Sequence, residues 1–295
     1  MLLLTGATGT IGLPLLRRLT AAGAPVRCLV RDPRRLGPER VRVQIALGDL
    51  ADHLSFRHAL RGVETVVHLA SPIRDQPRGS IEELAGIATW RLVQAAQRAG
   101  VRRFVFFSAL GASTRSSARL LRAKAIAERA VIESSLEHTI FAPGWVYALD
   151  DPFLRLVDHL SVLPVMPISG SGRARFAPIW AEDVAACVLA ALPGASHDEL
   201  AANARFELAG PDTLSYEQIV RRALAAAHRR RRIVRLPTGV VRRGLRATEL
   251  LMGPAAPATW DEAALLELTL LAAQGTADAR RLGVTPRAIT DVLGA

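Results

Sequence analysis

A chain of 295 residues, half of them hydrophobic, is long enough for one large core with a smaller lobe attached. The net charge of +11 invites an anionic partner, but the arginines are spread along helical segments among Asp and Glu, so a solvated surface is expected rather than a nucleic-acid interface. No uncharged apolar run reaches membrane-span length, and Cys28 and Cys187 suggest neither a disulfide framework nor a metal site, so the expectation is a cytoplasmic protein, monomer or homodimer, with no nucleic-acid or membrane partner.

Residues 1–5 read as a short apolar strand. TGATGTIG follows at 5–12, and then a helical pattern, LPLLRRLTAAG, with Gly23 as its stop. Three glycines between a strand and a helix suit a dinucleotide loop. Gly6 turns tightly, Gly9 lets the backbone approach a pyrophosphate, and Gly12 lets helix pack on strand. Thr8, Thr10 and Ile11 complete the cradle, whose helix N-terminus offers unpaired N–H groups to phosphate.

The second strand, PVRCLV at 25–30, runs into LVRDP. Arg31 stands where the adenosine ribose should lie, and a guanidinium there can grip a 2′-phosphate, which favours NADP(H). Asp32 holding the ribose hydroxyls is the alternative. A third strand, VRVQIA at 41–46, leads to Asp49 and Leu50, expected to flank the adenine. FRHALRG is a short helix, and ETVVHLA at 64–70 a fourth strand. Its end turns through His68, a packing residue, into Leu69, Ala70 and Ser71, which pass beneath the cofactor.

IEELAGIATWRLVQAAQRAG reads as a long helix ending at Gly100, RRFVFFSA at 102–109 as a fifth strand, and EHTIFAP at 137–143 as a sixth, its Pro143 at the cofactor. Alternation of this kind predicts an α/β fold, a Rossmann-type doubly wound parallel sheet. Residues 1–145 form this NADP-binding core, with 174–212 returning to the sheet. Residues 146–173 and 213–295 form a smaller, mostly helical substrate lobe. Arg229 to Arg232 make the one basic block, read as a solvated face or strand entrance.

Between the fifth and sixth strands lies LLRAKAIAERAV. Its Lys124 is the sole lysine; every other member of the 38 Lys plus Arg is arginine. An ammonium is compact, and its pKa falls on desolvation, whereas a guanidinium's hardly moves.

These motifs resemble the atypical short-chain dehydrogenases/reductases, in the NmrA-like and isoflavone-reductase-like branch. TGATGTIG is similar to the family's glycine loop, LVRDP to its NADP-type second strand, and FVFFSALGA to the strand bearing its active-site serine, here Ser108. FAPIWAEDVA at 176–185 resembles the return into the sheet. GTADARRLGVTPRAITDVL resembles the tail of bacterial relatives, including those related to the NADPH-holding accessory subunit of respiratory complex I.

The resemblance implies a Tyr-x-x-x-Lys pair facing the nicotinamide. Lys124 fits the lysine, anchoring the nicotinamide ribose, but the tyrosine position is Leu120, which removes the usual proton donor for carbonyl reduction. Tyr147 lies where relatives line the substrate pocket and is the substitute candidate. Trp145, Phe153 and Met166, with Leu120 and Tyr147, would form an apolar substrate wall. Isoflavone-reductase-like enzymes use the lysine without the tyrosine and reduce conjugated systems. The implied function is NADPH-dependent hydride transfer to an apolar, aromatic, quinone-like or conjugated small molecule. The alternative is a non-catalytic NADP(H)-binding redox sensor or assembly subunit.

Overall fold

The computed structural model describes every residue except His53, Pro254, Ala255 and Ala295. The first half runs β1 (Leu2–Thr5), α1 (Gly12–Ala21), β2 (Val26–Val30), β3 (Gln44–Leu47), β4 (Thr65–His68), α2 (Ala88–Arg98), β5 (Arg103–Phe107), α3 (Arg119–Ile132) and β6 (Glu137–Pro143). Then come β7 (Val146–Tyr147), α4 (Pro152–Leu160), β8 (Val165–Ser169), β9 (Arg175–Phe176), β10 (Ile179–Trp180), α5 (Ala181–Ala190) and α6 (Asp198–Ala201). The chain continues through β11 (Ala204–Leu208), β12 (Leu214–Ser215), α7 (Tyr216–Ala226), β13 (Arg232–Leu236), α8 (Thr238–Met252), α9 (Trp260–Leu265), α10 (Ala277–Arg281) and α11 (Ile289–Leu293).

Seven strands form one parallel sheet in the order β11-β6-β5-β4-β1-β2-β3. Strand side chains alternate between its faces. Leu4, Cys28, Val67 and Val105 point to one side, against Leu15, Leu16 and Leu19 of α1 and Val184 and Val188 of α5. Leu3, Val66, Phe104 and Phe106 point to the other, against Leu92 and Val93 of α2 and Ala127 and Val131 of α3. The strand order reverses between β1 and β4, which opens a crevice at their carboxyl ends. This is the doubly wound Rossmann architecture expected from the alternation.

A smaller core gathers Val157 of α4, Met166 and Ile168 of β8, Ile219 and Val220 of α7, and Ile289 of α11. The C-terminal segment does not stay with that lobe throughout, because Ala279 and Leu282 pack into the core of the large sheet. Two local readings change. The third strand starts at Gln44, after a 3-10 segment reaching Val41. The long helix before β5 begins as a π-helical turn over Glu82–Ile87. The arginine block is the strand entrance of its two readings, leading into β13, which pairs parallel with β8. No helix among the described residues is long and apolar enough to cross a membrane.

Candidate functional site

Gly6 leaves β1 with φ of +73°, a region side chains avoid, and a Cβ on it would stand 2.6 Å from the Ala70 nitrogen. A Cβ on Gly12 would lie 2.0 Å from the Gly6 carbonyl oxygen. Gly9 is different. It is exposed, and a Cβ there would meet only the Gly6 oxygen at 3.3 Å. The outer glycines therefore serve the fold, and the middle one leaves a bare backbone surface. Ile11 caps α1 without a side-chain hydrogen bond, and the first turn holds no acid. The helix thus presents N–H groups and a positive dipole end to the crevice, flanked by half-buried Thr8 and Thr10.

A directional hydrogen-bond chain ties the loop to the strand beside it. Thr89 Oγ1 donates to the Ala85 carbonyl at 3.0 Å, so it can only accept from His68 Nε2, 2.9 Å away. His68 is thereby the Nε2–H tautomer, and its Nδ1 accepts from Thr5 Oγ1 at 2.7 Å. Burial first, and the nearby Lys124 charge second, push the His68 pKa down to about 3. The imidazole is a neutral strut under the crevice floor, as a packing residue should be. Above it Leu69 and Ala70 are half-buried, and the Ser71 hydroxyl is shut away from solvent without a protein partner. A backbone cradle that a Cβ would fill, an uncapped helix and an orphaned hydroxyl together fit a dinucleotide.

At the β2 end, Arg31 is exposed and has no carboxylate partner among the described residues. Asp32 Oδ1 accepts from the Arg34 nitrogen at 2.9 Å and caps the following turn. Asp49 accepts from the Ala51 nitrogen at 3.0 Å and pairs with Arg78 at 3.2 Å, with Leu50 half-buried beside it. Arg78 comes from the loop after β4 and was not foreseen from sequence.

At the α3 end, Lys124 is 5% exposed. Its Nζ donates to the Phe107 carbonyl and sits 5.0 Å from the centre of the Phe106 ring. Burial lowers its pKa from 10.5 to about 7, partly offset by Glu128 one turn on. A lysine in this state exchanges protons near neutrality, as an arginine would not. Ser108 does not offer its hydroxyl to the crevice, because it donates to Glu128. Glu128 in turn accepts from Arg205 Nε at 2.8 Å. Glu128 was legible in principle, since it lies four residues after Lys124 on one helical face.

Leu120 is buried in an apolar cluster with Ile81, Ala85 and Ala123, covered by Leu265 of α9. Ion pairs hold α9 there. Arg119 reaches Asp75 at 3.0 Å, Glu82 at 2.6 Å and Asp261 at 3.1 Å, while Arg74 reaches Glu262 at 2.7 Å. This clamp joins the loop after β4, the start of α3 and the second lobe, and sequence reading missed it.

Tyr147 makes no hydrogen bond to Lys124. It lies 2% exposed in the second lobe's core, with its hydroxyl unpartnered. Burial first, then the carboxylates of Asp183 and Asp212, push its pKa well above the usual phenol range. Of the expected substrate wall, Met166 shares that core, whereas Trp145 and Phe153 are half-buried and pack against it. Trp145 packs edge-on against Phe153 at 4.7 Å and Phe176 at 5.1 Å, and Met166 is fully enclosed. Pro143 is buried, and its carbonyl accepts from the Leu110 nitrogen at 3.0 Å. His159 is exposed. No cluster of metal-ligating side chains exists among the described residues.

Residues 6–193 match a family model described as NAD(P)H-binding. The mitochondrial NADH dehydrogenase (ubiquinone) 1 alpha subcomplex subunit 9 of Arabidopsis thaliana is 30% identical over 226 residues, 72% of this chain and 54% of that protein. The chain thus spans about half the length of that relative. An NAD(P)H azoreductase of Xenophilus azovorans is 30% identical over 230 residues, 78% of this chain and 74% of the relative. Among solved structures, the NADPH-dependent quinone oxidoreductase of Escherichia coli complexed with NADPH superposes with a TM-score of 0.75 at 18% identity, covering 100% of this chain and 99% of that one. That likeness is one of fold.

Proposed function

This chain belongs to the NAD(P)H-binding family, and we propose that it is an NADPH-dependent reductase delivering hydride to an apolar, conjugated acceptor of quinone-like or aromatic type. The observation that carries the reading is the sole lysine, buried against β5 and one turn from an apolar residue at the family's tyrosine position. When bound, NADPH supplies the hydride. The protein must then supply a proton to the reduced acceptor, and Lys124 is the group whose pKa sits near working pH. Its flexible stem carries the amine between the Phe107 carbonyl and the crevice. Glu128 faces the ammonium from the next turn and, held by Ser108 and Arg205, keeps that charge tolerable. Arg31, exposed at the end of β2 with no acid paired to it among the described residues, selects the 2′-phosphate.

The relatives support an oxidoreductase, since one is an azoreductase, and the covered Leu120 fits acceptors that need no phenol to relay a proton. The test is NADPH consumption with a panel of quinones, azo compounds and simple ketones, in wild type and Lys124→Met. Turnover of quinones or azo compounds that falls in the variant at saturating NADPH supports the reading. Binding of NADPH without turnover of any acceptor overturns it in favour of a non-catalytic NADP(H)-holding sensor or assembly subunit. The clamp that seats Leu265 over Leu120 is the observation favouring that second reading.

A further inference from the structure

We infer that α8 and its arginines form a docking face for an anionic lipid surface. This helix buries no residue. Its half-buried side, with Val241, Leu245 and Thr248, is where it meets α9. Two contacts hold it there: the Trp260 nitrogen donates to Glu249 Oε1 at 2.5 Å, and the Arg242 guanidinium lies 5.7 Å from the Trp260 ring. The other side is bare. Val240, Gly244, Ala247 and Leu251 follow at i, i+4, i+7 and i+11, so they form one stripe along the helix. Leu250 is 88% exposed and Leu251 84%. Neighbouring leucines left this open on a folded protein mark a surface that meets an apolar phase or a partner.

Charge decides which occupant fits. Arg243 and Arg246 lie to one side of the stripe, on either side of Leu250, are exposed, and have no carboxylate partner among the described residues. The helix's one acid, Glu249, is engaged with Trp260. A second copy laid on this stripe would bring arginine rows together. A nucleic acid would use the arginines and leave the leucines in water. An anionic bilayer takes both, with leucines entering the acyl boundary and guanidinium groups meeting phosphate head groups.

The same combination recurs where the chain approaches α8. Arg230 and Arg232 are exposed near Val162, which is 75% exposed, and Arg231 Nε binds the Ser161 carbonyl at 2.8 Å. A chain whose apolar runs are too short to span a bilayer can still lay a helix flat upon one. This surface stands whether or not the chain reduces anything.

The test is sedimentation of the full chain with vesicles of phosphatidylcholine alone or mixed equally with phosphatidylglycerol. Binding is expected only with the anionic lipid, weakening as salt screens the arginines. The double variant Leu250→Ser, Leu251→Ser should lower the partition by roughly tenfold or more, and Arg243→Gln with Arg246→Gln should lower it too. All four side chains are exposed, so unchanged melting is the control for folding. Absence of sedimentation, or sedimentation indifferent to both variants, overturns the proposal. So does concentration-dependent self-association that the leucine variant abolishes without any vesicle binding. Binding to duplex DNA that survives the leucine variant, again without vesicle binding, overturns it as well.

Discussion

Arg31 stands in solvent at the β2 end of the crevice with no acid beside it, whereas Lys124 at the α3 end is buried, bonded to a backbone carbonyl and flanked by Glu128. An exposed guanidinium with no acid beside it is free to pair with an anion. A buried ammonium is poised to lose its proton. Under the proposed function, recognition by fixed charge and chemistry by movable charge would occupy opposite ends of one crevice.

The largest effect is expected at Lys124. Lys124→Met should lower turnover by about 10²–10⁴-fold if the amine is the proton donor. It should also stabilise the fold. A lysine whose folded pKa is about 7, below its unfolded 10.5, binds fewer protons folded than unfolded between those values. Stability therefore rises with pH across that window in wild type and stays flatter in the variant. At pH 7 the variant should gain upward of about 1 kcal/mol, measured by denaturant titration. A variant that is destabilised and shows the wild-type slope would remove the poised amine from the comparison.

Arg31→Ala addresses the other end. The preference for NADPH over NADH should fall by about 1.5–3 kcal/mol, with NADH affinity unchanged. Titration with both cofactors measures it, and equal losses for both would return the ribose to Asp32. Gly12→Ala places a Cβ 2.0 Å from the Gly6 oxygen, backbone against backbone. It should cost roughly 1–3 kcal/mol of stability along with cofactor binding. Gly9→Ala, with its nearest contact at 3.3 Å, should melt close to wild type and lose binding alone. If both variants melt alike, the division of labour within the loop is wrong.

What the sequence disclosed follows the range of the interactions involved. Gly6, Gly9 and Gly12 act within a single turn, so their spacing announces them, and six of the seven sheet strands declare themselves by local apolar runs, whereas β11, ARFEL with Arg205 and Glu207, does not. Lys124 and Leu120 are one helical turn apart and could be paired on paper. The clamp could not be seen, because Arg74 finds Glu262 188 positions away and Arg119 finds Asp261 142 positions away. In an arginine-rich chain no composition signal separates those two from their neighbours. Tyr147 and Met166 were misplaced for a different reason. An apolar run after β6 has the same pattern whether it lines a pocket or fills a lobe, and here the burial of Tyr147 and Met166 puts those two in the lobe's core.

The smallest effect is expected at the clamp, where the difference between the two ends is enforced. Arg119 bonds three carboxylates, and its guanidinium is raised above its ordinary pKa chiefly by the Glu82 and Asp75 hydrogen bonds. It is partly exposed, so solvent screens the network, and Arg119→Ala should cost only about 1 kcal/mol near neutrality. The pH dependence is more diagnostic. The Arg119 hydrogen bond holds Glu82 below its usual 4.5, so that group's contribution is present above pH 4.5 and is lost as pH falls through the lower folded value. Asp261 is already raised by burial, and removing the guanidinium that opposes this should raise it further. Both carboxyls therefore make the variant's defect grow from acid toward neutral pH and shrink as the pH is lowered. With α9 released, Leu265 should also uncover Leu120, and proteolysis within 256–265 should quicken. A defect of equal size in acid and at neutrality, with no added cleavage, would mean that packing rather than charge keeps the α3 end closed.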